Sequence, residues 1–166
     1  MFRAVTILII ALFTVTEVQA QNEVFRELAS LQGIQEFGFT VNIEGSHRIA
    51  ADTTVTPTTI RQQAVNQIVD ADIRFVSDEE VRSSADIPFL YMHINMMEME
   101  NGLIPFSIEL KLYQPVRLEL NRRQQATAST WSHSMVGLVT FDNLPTVKRA
   151  AESLMDTFLF DYRQVN

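Results

Sequence analysis

The sequence predicts an α+β fold: a two-layer sandwich in which one mainly antiparallel, four-stranded sheet carries two helices on one face, in the order β-α-β-β-β-α. Three observations carry this. From Ile104 to Leu120 the apolar residues Ile104, Phe106, Ile108, Leu110, Leu112, Val116, Leu118 and Leu120 are all even-numbered, whereas Ser107, Glu109, Lys111, Arg117 and Glu119 are odd; that is the period of a half-buried strand. Asn101-Gly102 lies just before this run, and both residues tolerate the positive φ that a two-residue hairpin loop demands. Two other stretches, one built on Ile60, Ala64, Ile68 and Ala71 and one on Val147, Ala151, Leu154, Phe158, Tyr162 and Val165, repeat at helical spacing and supply the second layer.

In chain order, Arg3, the apolar run Ala4 to Val15 and Val18-Gln19-Ala20 form a secretory signal with a cut after Ala20. The domains expected are thus a signal peptide over 1–20 and a single α+β domain over 21–166. Val24, Leu28 and Leu31 share one face of a short helix that Gly33 ends. Phe37, Phe39, Val41 and Ile43 alternate with polar or small residues in a strand over Gln35 to Glu44. A polar loop containing His47 and Arg48 leads to Thr56-Pro57, a suitable entry for the first long helix. Arg74-Phe75-Val76 is extended, and Ser77 with Glu80 matches a capping box. Phe89 to Glu100 then forms the first arm of the hairpin, Ala126 to Phe141 the last strand, and Leu144 to Val165 the longest helix.

The hairpin has a register conflict. A two-residue loop at Asn101-Gly102 sets Met99 opposite Ile104 and turns Leu90, Met92 and Ile94 to water. A β-bulge near Asn95 or Met96 is therefore expected, returning those three inward while Met97 and Met99 stay buried. Pro115 predicts a bend or an open edge in the partner strand.

Composition bounds the function. A chain of 166 residues that is 46% hydrophobic and 20% charged is long enough to bury one core. Loss of residues 1–20 removes Arg3 and Glu17, so the net charge of −7 is unaltered; that charge opposes nucleic-acid binding, for which Arg122-Arg123 is too small a patch. With no cysteine there is neither a disulfide framework nor a lipid-bearing Cys, and no stable membrane insertion is expected after signal cleavage. The address predicted is the periplasm or the exterior, and the absence of any Asn-x-Ser/Thr acceptor points to a bacterial source.

Candidate sites are few. Met92, Met96, Met97 and Met99 cluster around His93, and Met97, Met99 and His93 are candidates for Cu(I), which prefers soft ligands; the competing reading is that methionine fills core gaps. His47, His93 and His133 have no metal-ligand spacing. In Ser132-His133-Ser134 adjacent residues point to opposite faces, so His133 is poorly placed to activate either serine. Glu98, Glu100, Glu109 and Glu119 read as the wetted face of the hairpin rather than as a glycosidase pair. No catalytic residue and no cofactor is predicted. Partner-binding candidates are the outward residues Glu109, Lys111, Tyr113 and Arg117.

In layout, behind a signal peptide, the chain resembles envelope accessory modules: the lipopolysaccharide-assembly lipoproteins of the LptE type and the N-terminal module of translocation proteins of the TolB type. The likeness spans roughly Gln35 to Val165 and rests on element order alone; the lipoprotein cysteine is missing. It implies a non-catalytic partner in envelope assembly or transport, acting on another envelope protein through a sheet edge or outer face. The alternatives are a small apolar-ligand or Cu(I)-binding protein that uses the Met-rich hairpin and, third, a hydrolase built on His133 or His47.

Overall fold

A computed structural model describes residues 25–166, so the expected signal segment lies outside the described residues. Residues 25–30 are helical (α1) and are followed by β1 (Glu36–Glu44), α2 (His47–Ala50), α3 (Pro57–Asp70), β2 (Arg74–Phe75), α4 (Asp78–Ser83), β3 (Phe89–Met96), β4 (Leu103–Leu118), β5 (Asn121–Thr140) and α5 (Pro145–Val165). A single 3₁₀ turn at Phe141–Asn143 leads into α5.

The class is α+β, but the sheet is five-stranded and mixed, in the order β2-β1-β3-β4-β5. β1 runs parallel to both β2 and β3, whereas β3–β4 and β4–β5 are antiparallel. This corrects the four-stranded, mainly antiparallel expectation. The link from β1 to β3 contains α3, and a crossover of that length returns the chain parallel. Arg74-Phe75, read from sequence only as extended, pairs with Glu36 and Phe37 as a fifth strand.

The helices start and stop where their side chains dictate. Thr56 accepts from the Thr59 amide, Thr59 returns the bond, and Pro57 occupies the first turn of α3, satisfying amides that otherwise lack partners. Ser77 and Glu80 form the expected box on α4, and the Ser77 backbone bond, then its hydroxyl, hold the Glu80 carboxyl below the usual range. Gly33, at φ +79°, ends the first helical segment. Its N–H donates to Asn166 Oδ1 (2.7 Å), and Asn166 Nδ2 donates to Leu31 O (2.9 Å), so the end of α5 ties down the segment before β1.

One hydrophobic cluster joins the inner face of the sheet to α3 and α5. Ile108, Leu110 and Phe158 are fully buried within it, and Tyr162 packs partly buried against it. Phe37 meets Phe158 edge-on at 5.3 Å, and Trp131 meets the same ring at 5.1 Å. Each such apolar side chain taken wholly out of water contributes about 1.5–3 kcal/mol. Trp131 Nε1–H donates to Asp161 Oδ2 at 3.0 Å, linking β5 to α5, and the Tyr162 hydroxyl, whose pKa burial raises, donates to Ile34 O at 2.5 Å.

The register conflict is resolved differently from the expectation. β3 pairs with β4 without interruption, Phe89 opposite Tyr113 through Met96 opposite Phe106. Met97 N–H then donates to Pro105 O, Met99 N–H to Leu103 O and Gly102 N–H to Met99 O. The loop is thus three residues, Glu100-Asn101-Gly102, with Gly102 at φ +77°. The extra residue sits in the loop and not in the strand, so no bulge forms at Asn95 or Met96. Leu90, Met92 and Ile94 are buried as required, but Met96 joins them while Met97 and Met99 are exposed, Met97 by 64%.

The ladder irregularities fall on β4–β5, between Leu112 and Tyr113 and between Arg117 and Leu118. At the first, Thr130 of β5 is the unpaired residue, and its hydroxyl oxygen accepts from Gln114 Nε2 (2.6 Å). Gln114 to Leu118 continue beyond the end of β3, so Pro115 lies on an open edge, where its missing N–H costs no ladder bond. β5 starts at Asn121, ahead of the expected Ala126, and ends at Thr140, before Phe141.

Candidate binding face

The face of the sheet opposite α3 and α5 is built by the odd residues of β3 and β4 and the even residues of β5 from Ser132 onward. The register sets them in rungs: Tyr91, Lys111 and Ser132; then His93, Glu109 and Ser134; then Asn95, Ser107 and Val136; then Pro105 and Leu138, with Met97 bonded to Pro105 at the last. α4 shields the β1 side, because Val81 fills the space above Gly38 and would collide with any Cβ placed there.

The strip has a polar aromatic part and an apolar part. In the first, Phe89 stacks on Tyr113 with ring centroids 5.3 Å apart and 16° between planes, and Tyr91 approaches Tyr113 at 6.4 Å and 64°. The Tyr91 hydroxyl lies 3.3 Å from His93 Nδ1, and His93 Nε2 lies 3.8 Å from Glu44 Oε1 on β1. Lys111 Nζ meets Glu109 Oε1 at 2.8 Å; this bond raises the Lys111 pKa. In the second part, Asn95, Met97, Pro105, Phe106, Ser107, Val136 and Gly137 line an open groove of about 340 Å³, with Leu138 at 58% exposure beside it. A Cβ on Gly137 would meet the Phe106 ring on the inner side, so a side chain there would have to displace that ring.

Of the sequence candidates, Glu109, Lys111 and Tyr113 come together on this strip. Arg117 shares the face but lies about 13 Å further along β4, past the end of β3. Phe89 and Tyr91 complete the aromatic part; their odd numbering beside His93 held the signal, which the hairpin register turns into an outward position. His93 and Met97 share the face but are four strand residues, about 13 Å, apart, too far for one metal ion, and Met99 lies beyond the strand. Among the described residues no three His, Cys, Asp or Glu side chains converge as a ligand set.

His133 sits on the opposite face, paired with Leu110 and stacked on Trp131 at 6.1 Å, so it meets neither His93 nor the serines beside it. His47 is exposed on α2, where Arg48 covers the Phe141 ring and binds Glu98. That leaves the outer strip as the place where named candidates and exposed apolar side chains coincide.

No family model matches the chain, and no curated protein matches it. Among solved structures the chain is similar to the PelC L103M dodecamer from Paraburkholderia phytofirmans, at 17% identity and a TM-score of 0.41, over 78% of this chain and 90% of that one. A likeness of that degree assigns neither function nor partner. No helix among the described residues is long and apolar enough to cross a membrane.

Proposed function

We propose that this chain is an exported, non-catalytic interaction module of a bacterial envelope that holds a partner protein against the outer strip of its sheet. The observation that carries the reading is the run from half-buried Tyr113 and Phe89, across the Lys111–Glu109 pair, to exposed Met97, Val136 and Leu138. Tyr, Phe and Met are the residues enriched at the centres of protein interfaces, and one ion pair beside them supplies orientation more than affinity. The signal-like start of the chain supports export.

The test is affinity capture from envelope extracts with the wild-type chain, a Tyr91→Ala/Tyr113→Ala double variant and a His47→Ala control. The expected result is one or more reproducible partners retained by wild type and by H47A and lost with the double variant. Identical capture by wild type and double variant, or none by wild type, would sink the proposal.

A further inference from the structure

The two edges of the sheet are treated in opposite ways. β2 is two residues long, and its Arg74 pairs with Glu36 and Glu80, so that edge is short and charged, as edges that avoid other strands are. β5 is a 20-residue edge strand. The run Gln124 to Phe141 contains no Asp, Glu, Lys, Arg or Pro, the longest such run in the described residues of a chain carrying −7.

The backbone bonds of the hairpin settle which groups of β5 face outward. Met97 and Met99 donate to Pro105 and Leu103, so the odd residues of β4 spend their backbone groups on β3. Strand alternation then sends those of the even residues Ile104 to Leu112 to β5, where the partners are Val139, Gly137, Met135, His133 and Trp131. Ser132, Ser134, Val136 and Leu138 therefore direct N–H and C=O to the free edge. α1 closes one end: Ser30 Oγ donates to Thr130 O at 3.0 Å, and Ser132 Oγ to Glu27 Oε1 at 3.4 Å. Among the described residues nothing caps Ser134, Val136 and Leu138, and Val136 is 80% exposed.

We infer that this edge pairs with the same edge of a second copy, antiparallel across a two-fold axis, to give one continuous ten-stranded sheet. A second copy fits because a two-fold makes an edge its own complement, and because the strand brought to the axis is the part of this acidic chain without acidic groups. The register follows from using all three open residues on both copies. It centres on Val136, sets Ser134 opposite Leu138 and brings the two Val136 side chains together on the outer face. The pairing goes beyond the proposed partner and does not depend on it.

Two kinds of variant test it in the secreted, purified chain. Ser134→Pro deletes an N–H that the monomer leaves unused, so it blocks the intermolecular ladder while sparing the fold. By light scattering at about 100 μM, a concentration that populates pairing with a Kd of tens of micromolar, wild type should show twice the monomer mass. S134P should show the monomer mass with unaltered far-UV circular dichroism. In this cysteine-free chain, Val136→Cys faces its own copy at about 5.5 Å between Cα atoms, within disulfide reach, whereas Leu138→Cys is displaced from its copy by about 13 Å. V136C should cross-link on oxidation and L138C should not. A monomeric wild type, a folded S134P that keeps the doubled mass, or equal cross-linking of the two cysteine variants would overturn the inference. The cysteine pair decides it even if S134P does not fold. Loss of outer-face capture with dimerisation intact would fault only the partner reading.

Discussion

Gln63 lies on α3 where α3 faces α5, and among the described residues neither its Oε1 nor its Nε2 finds a hydrogen-bond partner. The surrounding gap, lined by Ile60, Ala64, Met92, Ala151 and Met155, does not admit a water molecule, so solvent supplies no partner either. A buried amide in that state costs about 1–3 kcal/mol relative to one that is bonded. Methionine has nearly the same length and volume and no amide to satisfy. Gln63→Met should raise the unfolding free energy by about 1 kcal/mol, moving the urea midpoint upward with an unchanged slope. A midpoint lowered by the substitution would show that the amide is satisfied after all. Neighbouring Gln67 differs because its Nε2 donates to Asp156 Oδ1 at 2.7 Å; although its Oε1 is unpaired among the described residues, the lost bond would offset any gain there.

Among elements, the β3–β4 hairpin shows how much of the fold the residues reveal. The alternation of β4 and the inward set Leu90, Met92 and Ile94 were both legible, and together they require one residue beyond a two-residue loop. They do not say where it goes. A bulge would break the ladder between two central strands, whereas a three-residue loop with Gly102 in the left-handed region absorbs the residue at the surface. The same limit applies to β1, whose strand pattern was plain but whose parallel pairing depended on weighing α3 as a crossover. Gly102→Ala forces a Cβ into φ +77° and should cost about 1–2 kcal/mol. Deleting Asn101 leaves Glu100-Gly102 as a two-residue loop between the same Met99–Leu103 pair, so the register and the buried set Leu90, Met92 and Ile94 are kept. The deleted chain should therefore unfold cooperatively, as should G102A at a lower midpoint. Loss of the cooperative transition in the deletion variant would contradict this account of the register.

Across the whole molecule, the inner and outer faces of the sheet were legible to different depths. Ile108, Leu110 and Phe158 meet in one interior because both periodicities point there, so the core followed from patterning alone. The outer strip was only half visible: Glu109, Lys111 and Tyr113 follow from the alternation of β4, but Phe89, Tyr91, Val136 and Leu138 join them only once three strands are in register. A core that ties the sheet to α3 and α5 through one cluster should unfold as one unit. Trp131 is a built-in reporter of that unity. It is the single tryptophan, 2% exposed, wedged between β5 and α5 against Phe158 and bonded to Asp161. In urea, at fixed protein concentration, its fluorescence should report the separation of α5 from the sheet, while far-UV circular dichroism reports loss of all the helices and strands. The two midpoints should coincide, with equal slopes. A fluorescence transition that precedes the dichroism transition would mean that α5 leaves while the sheet persists, and the layers would then be separate cooperative units.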